Sequence, residues 1–229
     1  ADIILVGDSM GMVIYGQKNT LSVTKEMMIE HGKAVVNSTK KALVVIDLPF
    51  GSYENSKKRA FKVSSEILSK TGASAVKLEG GIELADTINY LVERGIPVMG
   101  HIGLMPQRIN IKGKFITQGH SSLEVKKVIT DAKSIASAGV FSMVVEAVKE
   151  SLGKKVTNSV SVPTIGIGAG KYCDGQILVT NDMLGLSNNF TPKFVKKYAN
   201  LYSDIDEAIE TYKNEVLNGK FPSAKNIYN

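Results

Sequence analysis

At 229 residues, with 43% hydrophobic and 22% charged residues, the chain can bury a substantial core as one domain, which excludes the disordered and fibrous classes. A net charge of +6, carried by scattered lysines without a basic block interleaved with aromatics, gives no support for a nucleic-acid surface. The single Cys173 excludes an intrachain disulfide framework and fits a reducing, cytoplasmic setting; neither a leader nor an apolar run of about 18 residues is visible, so no membrane association is expected.

The first predicted element is Ile3-Ile4-Leu5-Val6, running into Gly7-Asp8-Ser9-Met10-Gly11. A continuous aliphatic run reads as a strand buried on both faces of a parallel sheet. Thr24 to Val36 is helical, with Thr24 as N-cap. Ala42 to Pro49 is the second strand, and Asp47 stands at its end. A loop through Tyr53 leads to a helix from Ser56 to Ser69, stopped by Gly72. Ala75 to Gly81 is the third strand, and the helix after it runs through Arg94 to a stop at Gly95. Pro97 to Gly103 is the fourth strand. Leu104 to Ser121 has no clear period and holds Pro106, Gly113 and Gly119, which suits a functional loop. Leu123 to Ala138 is helical, Ser142 to Ala147 is the fifth strand, and a short helix reaches Asn158. Pro163 to Gly170 is the sixth strand, Gln176 to Thr180 a shorter seventh, and Asp204 to Asn218 a closing amphipathic helix.

Strands alternating with helices argue for an α/β fold with a parallel sheet. Two architectures are compatible, a doubly wound open sheet and a closed barrel. Chemistry-bearing residues finish almost every strand rather than meeting at one switch point, which favours a (β/α)8 TIM-type barrel spanning residues 1–229 as a single domain. That barrel needs an eighth strand. Because the chain starts at Ala1 and directly in a strand, a first strand and helix are expected to precede it.

Strand ends deliver Asp8 with Ser9, Asp47, Lys77 with Glu79, His101 and Glu146. Asp8, Asp47 and Glu79 are hard oxygen donors suited to Mg²⁺ if they converge. Lys77 and Glu79 are two apart on a strand and share a face, where a cation can hold a carboxylate or a developing negative oxygen. Glu146 ends an apolar strand, where partial desolvation favours a general base. Taken singly, each has a plainer reading: a strand-end acid as a cap or turn residue, Lys77 with Glu79 as an inward ion pair, His101 as a hydrogen-bonded structural histidine. Gly166-Ile167-Gly168-Ala169-Gly170 is equally open between a phosphate cradle and close backbone packing.

Taken together and in order, these stretches resemble one family. Val6-Gly7-Asp8-Ser9-Met10-Gly11-Met12, Asp47-Leu48-Pro49-Phe50-Gly51-Ser52-Tyr53, Val76-Lys77-Leu78-Glu79-Gly80-Gly81, Gly100-His101-Ile102-Gly103-Leu104-Met105-Pro106-Gln107 and Pro163 through Gln176 are similar to 3-methyl-2-oxobutanoate (ketopantoate) hydroxymethyltransferases. The resemblance implies a (β/α)8 barrel that transfers a hydroxymethyl group from 5,10-methylenetetrahydrofolate to 3-methyl-2-oxobutanoate, giving 2-dehydropantoate for pantothenate and coenzyme A. It implies one Mg²⁺ per subunit on Asp8, Asp47 and Glu79, and substrate contacts from Asp8, Ser9, Asp47 and Lys77. Glu146 would be the base, with a supporting place for His101. It also implies a homo-oligomer, a decamer in the family. The chain departs from the family pattern at Gln17-Lys18-Asn19-Thr20, Met105 and Asn181, which bears on contacts to the folate. Two rivals remain at this level: a metal-dependent barrel of the phosphoenolpyruvate mutase/isocitrate lyase kind, and a non-enzymatic relative that keeps the barrel.

Overall fold

The computed structural model describes residues 1–113, 116–187 and 191–228. One parallel sheet carries seven strands in chain order: β1 Ile3–Val6, β2 Leu43–Asp47, β3 Ala75–Glu79, β4 Val98–Gly103, β5 Ser142–Glu146, β6 Thr164–Ile167 and β7 Gly175–Gln176. The helices are α1 Met10–Val13, α2 Lys25–Ser38, α3 Lys57–Thr71, α4 Ala85–Val92, α5 Ile109–Lys112, α6 Ser122–Ser137, α7 Glu150–Thr157, α8 Thr180–Met183 and α9 Leu201–Leu217. The three long helices among α1 to α7 start at side-chain caps, with Thr24, Ser56 and Ser121 accepting from the backbone N–H of Met27, Arg59 and Glu124.

The described chain divides into two compact units, residues 1–177 and 178–229. In the first, the pleat sorts side chains between two cores. Val44, Ile46, Leu48, Val76, Leu78, Val98, Ile102, Met143 and Val145 join the large core under the helices, with Met28, Ile67, Ile88, Leu91 and Ile135. Alternate residues point the other way, and Val45, Ala75, Met99 and Val144 form a second, small apolar layer on the concave face of the curled sheet. The second unit holds α8 and α9, and there the Phe221 ring meets Tyr212 edge-on at 5.4 Å.

The parallel α/β sheet expected from the sequence is present. Among the described residues β1 and β7 each pair with one neighbour, so these residues form a curled, open seven-stranded sheet and not a closed eight-stranded barrel. The sixth strand stops at Ile167 rather than Gly170, because Gly168 and Gly170 turn into the left-handed region at φ 65° and 78°. The seventh strand is Gly175–Gln176, shorter than the expected Gln176 to Thr180, since pairing ends once Ile177 N–H donates to the Gly166 carbonyl. Part of the expected Leu104 to Ser121 loop is helical: a 3-10 turn at Pro106–Arg108, with proline in its first turn, leads into α5. Residues 114 and 115 of that stretch lie outside the described residues.

Candidate active site

Strand register brings the polar side chains together. Parallel pairing sets Asp47 beside Lys77, Glu79 beside His101 and Gly103 beside Glu146. Asp47, Lys77, His101 and Glu146 each stand two residues beyond a member of the small apolar layer: Val45, Ala75, Met99 and Val144. They therefore leave the same concave face one step nearer the carboxyl ends of the strands. Glu79 follows two residues after Lys77 on the same face. Asp8 enters from beyond β1, its backbone N–H donating to Asp47 Oδ2 at 3.1 Å. Ser9 immediately precedes α1, and its Oγ and Asp47 Oδ2 flank the space beside Gly7, where a Cβ would lie 3.1 and 3.5 Å from them.

The cluster is almost entirely buried. Asp8, Asp47, Lys77, Glu79 and His101 are all buried, and Glu146 is the most accessible member at 18% side-chain exposure. Lys77 Nζ lies 2.8 Å from Asp47 Oδ1 and 3.2 Å from His101 Nδ1. Burial opposes the lysine's charge, but Asp47, Glu79 and Asp8 outweigh it and raise its pKa above the ordinary range. Burial, then the Asp47 charge, pushes Asp8 up to about 7 against the pull of Lys77, the hydrogen bond of Gln107 and the nearby Thr20 hydroxyl. Burial likewise raises Glu79 well above a usual carboxylate, with Asp8 and Asp47 adding to it and Lys77 opposing.

His101 links the buried end to the open one. Its Nε2 is 3.1 Å from Glu146 Oε2, close but off the line of a well-formed hydrogen bond, and its Nδ1 is 3.5 Å from Glu79 Oε1. Burial and then the charge of Lys77 lower its pKa, so the ring is neutral near pH 7. An ammonium only donates, so Nδ1 accepts from Lys77 and the ring proton sits on Nε2, facing Glu146. Directly after Glu146, Ala147 adopts φ 46°, uncommon for a residue with a side chain. It is held from both sides, its N–H donating to the Ile167 carbonyl and its carbonyl accepting from Gln118 N–H, each at 2.8 Å. Such locally strained backbone concentrates at functional sites.

All seven residues singled out from the sequence, Asp8, Ser9, Asp47, Lys77, Glu79, His101 and Glu146, thus lie in or beside one cluster. Three neighbours had no role assigned from the sequence: Tyr53, Gln107 and Thr20, all buried. Tyr53 and Gln107 stand inside family-like motifs, yet polar residues on irregular segments carry no periodic signal that points to a partner. Among the described residues no group of three His, Cys, Asp or Glu side chains is gathered as a metal-holding set. The oxygens of Asp8, Asp47 and Glu79 turn to Gln107 and Lys77 instead. Among the same residues, no helix is long and apolar enough to cross a membrane.

Comparison with known proteins bears on this cluster. The family model for ketopantoate hydroxymethyltransferase matches residues 1–224. Proteins named 3-methyl-2-oxobutanoate hydroxymethyltransferase from Rhodospirillum rubrum and Brucella suis are 53% and 49% identical over 227 residues, covering 99% of this chain and 82% of each relative. One from Sinorhizobium fredii is 51% identical, over 99% of this chain and 83% of its own length. Among solved structures, a putative phosphonomutase from Burkholderia cenocepacia superposes with TM-score 0.57 at 16% identity, over 72% of this chain and 69% of that one. A 2,3-dimethylmalate lyase of the PEP mutase/isocitrate lyase superfamily gives TM-score 0.55 at 10% identity, over 99% and 79%. The structural likenesses establish a shared fold alone. The matches near 50% identity extend over essentially the whole chain, and on them this protein is a member of the ketopantoate hydroxymethyltransferase family, a family of transferases.

Proposed function

We propose that this protein transfers a hydroxymethyl group from 5,10-methylenetetrahydrofolate to 3-methyl-2-oxobutanoate, forming 2-dehydropantoate on the route to pantothenate and coenzyme A. The observation that carries the reading is that a family member gathers Asp8, Asp47, Lys77, Glu79, His101 and Glu146 from five strand ends into one polar cluster above an apolar floor.

The donor set fits a divalent cation in kind. Once ionised, Asp8, Asp47 and Glu79 offer acceptor-only oxygens to a cluster with Lys77 as their cation, and buried Asp47 Oδ1 accepts no well-formed hydrogen bond. In this proposal the three carboxylates hold Mg²⁺, one per subunit. A cation held by these residues would supply Lewis acidity toward the 2-oxo acid. The chain's own groups do the rest. Glu146, the most accessible acid, takes the C3 proton, and the Nε2–H of neutral His101 faces its carboxylate 3.1 Å away. Lys77 presents a fixed positive charge to the oxygen on which negative charge develops, and burial strengthens that interaction. Ser9 donates a hydrogen bond to the substrate carboxylate.

The remaining expectations belong to the same proposal. The curled sheet is part of a (β/α)8 barrel, which its sequential strand order supports, and the protein works as a cytoplasmic homo-oligomer, a decamer by resemblance. The reading is tested with purified protein, Mg²⁺, 5,10-methylenetetrahydrofolate and 3-methyl-2-oxobutanoate, where 2-dehydropantoate should form. In deuterated water, Glu146→Gln should bind the 2-oxo acid yet lose exchange at C3. Exchange at the wild-type rate would remove Glu146 from the base role, and absence of product from the wild type would refute the function.

A further inference from the structure

We infer that Gln107 and Tyr53 are a pair of positioning residues that fix the Asp8 and Glu79 carboxylates for the chemistry, acting through those acids. This rests on the proposed function for its kinetic consequences, though its geometry is independent of it. Gln107 lies in the 3-10 turn after β4, and both it and Tyr53 are buried. Its side-chain amide donates from Nε2 to Asp8 Oδ2 at 2.8 Å and to the Leu48 carbonyl at 2.9 Å, while Oε1 accepts from the Tyr53 hydroxyl at 2.6 Å. Its backbone N–H donates to Glu79 Oε2 at 3.0 Å. One residue thereby joins the ends of β1, β2 and β3.

The amide has one workable orientation. The Leu48 carbonyl can only accept, so Nε2 must face it and, beside it, Asp8, which leaves Oε1 for a donor. Tyr53 is that donor. Its single proton goes to Gln107 at 2.6 Å rather than to the Glu79 carbonyl at 3.3 Å, and its oxygen accepts the Glu79 backbone N–H at 3.2 Å. Glu79 is thus held at its backbone by Tyr53 and at its carboxylate by Gln107. Each side-chain polar group of Gln107 is used, and two of the three carboxylates proposed to hold the cation end on this pair. A residue that merely filled volume would need none of these bonds.

The test compares wild type with Gln107→Met, which keeps the volume and removes every side-chain hydrogen bond, and with Tyr53→Phe, which removes one hydroxyl. Affinity for magnesium chloride alone is measured by calorimetry, kcat and KM by steady-state assay, Tm by thermal unfolding, and the Asp8 and Glu79 side-chain positions by crystallography. The positioning role predicts a Mg²⁺ affinity weakened roughly 10–100-fold in Gln107→Met, the range found when groups that orient metal ligands are removed. Tyr53→Phe should lose less, kcat should fall in both, and the Asp8 carboxylate, which loses its bond from Nε2, should be turned away in crystals of Gln107→Met, while Glu79 keeps the backbone N–H of residue 107. Lower Tm with Mg²⁺ affinity and kcat within twofold of wild type would reduce the pair to a structural part and overturn the inference. An unmoved Asp8 carboxylate in Gln107→Met would overturn it as well. Should Gln107→Met fail to fold, the same readouts on Tyr53→Phe decide. A wild-type protein that forms no 2-dehydropantoate defeats the proposed function, while the carboxylate positions still decide the positioning role.

Discussion

Replacing Lys77 by Met keeps the length of the side chain and removes the cation that faces Asp47, Asp8 and Glu79. Asp47 Oδ1, 2.8 Å from Nζ in the wild type, is left buried with no charge opposite it. Removing one partner of a buried pair costs about 3–5 kcal/mol, because the survivor keeps its desolvation penalty. For a chain of this size each kcal/mol corresponds to about 2–4 °C, so Tm should fall by roughly 6–20 °C. The companion is Lys77→Met with Asp47→Asn. Asparagine still accepts the Asp8 backbone N–H through its side-chain oxygen and carries no charge. The double variant should recover at least about 1 kcal/mol over Lys77→Met, since removing both members of a buried pair is often near neutral. Both are measured by chemical unfolding with EDTA present, so that bound metal does not enter. A double variant no more stable than the single one would show that packing at residue 77, and not the ion pair, sets the loss.

A Cβ added at Gly81 would come within 2.1 Å of the Asp131 carboxyl, which accepts the Ile82 N–H and pairs with Lys127. Gly81→Ala should therefore destabilise by about 1–3 kcal/mol through overpacking in the turn after Glu79; unfolding within 0.5 kcal/mol of wild type (roughly the level of a neutral surface change) would contradict that packing. On the surface, hydrogen bonds from Lys25 and then Lys70, each ammonium 2.7 Å away, lower the Glu66 pKa from 4.5 to about 2. A depressed carboxylate contributes stability above its unfolded pKa and loses it as pH falls toward the folded one. The stability difference between wild type and Glu66→Gln should thus be constant near pH 6 and shrink between about pH 4.5 and 2. A difference independent of pH over that window would show that the two lysines do not hold Glu66 charged.

Much of the site was legible because it follows from parity and position. Asp8, Asp47, Glu79 and Glu146 could be read as rim residues because acids end runs of aliphatic strand residues, and the carboxyl ends of parallel strands are where such folds bind ligands. Lys77 and Glu79 had to share a face, whatever the packing, since they are two apart. The extent of β6 and β7 was not legible, because aliphatic content does not decide where a strand stops when glycine dihedrals and the last ladder hydrogen bond do.

The sequence by itself determined the alternation of strands and helices, the parallel sheet and the inventory of groups at its rim, all local properties of residue type and spacing. Only the tertiary structure decided the pairings: the neutral His101 between Lys77 and Glu146, and Gln107 on Asp8, residues 99 apart in the chain. The physical reason is that a hydrogen bond depends on a distance and a direction set by sheet curl and register, which leave no periodic trace along the chain. Tyr53 and Gln107 illustrate it, since their types permit many partners and the folded geometry selects Glu79 and Asp8.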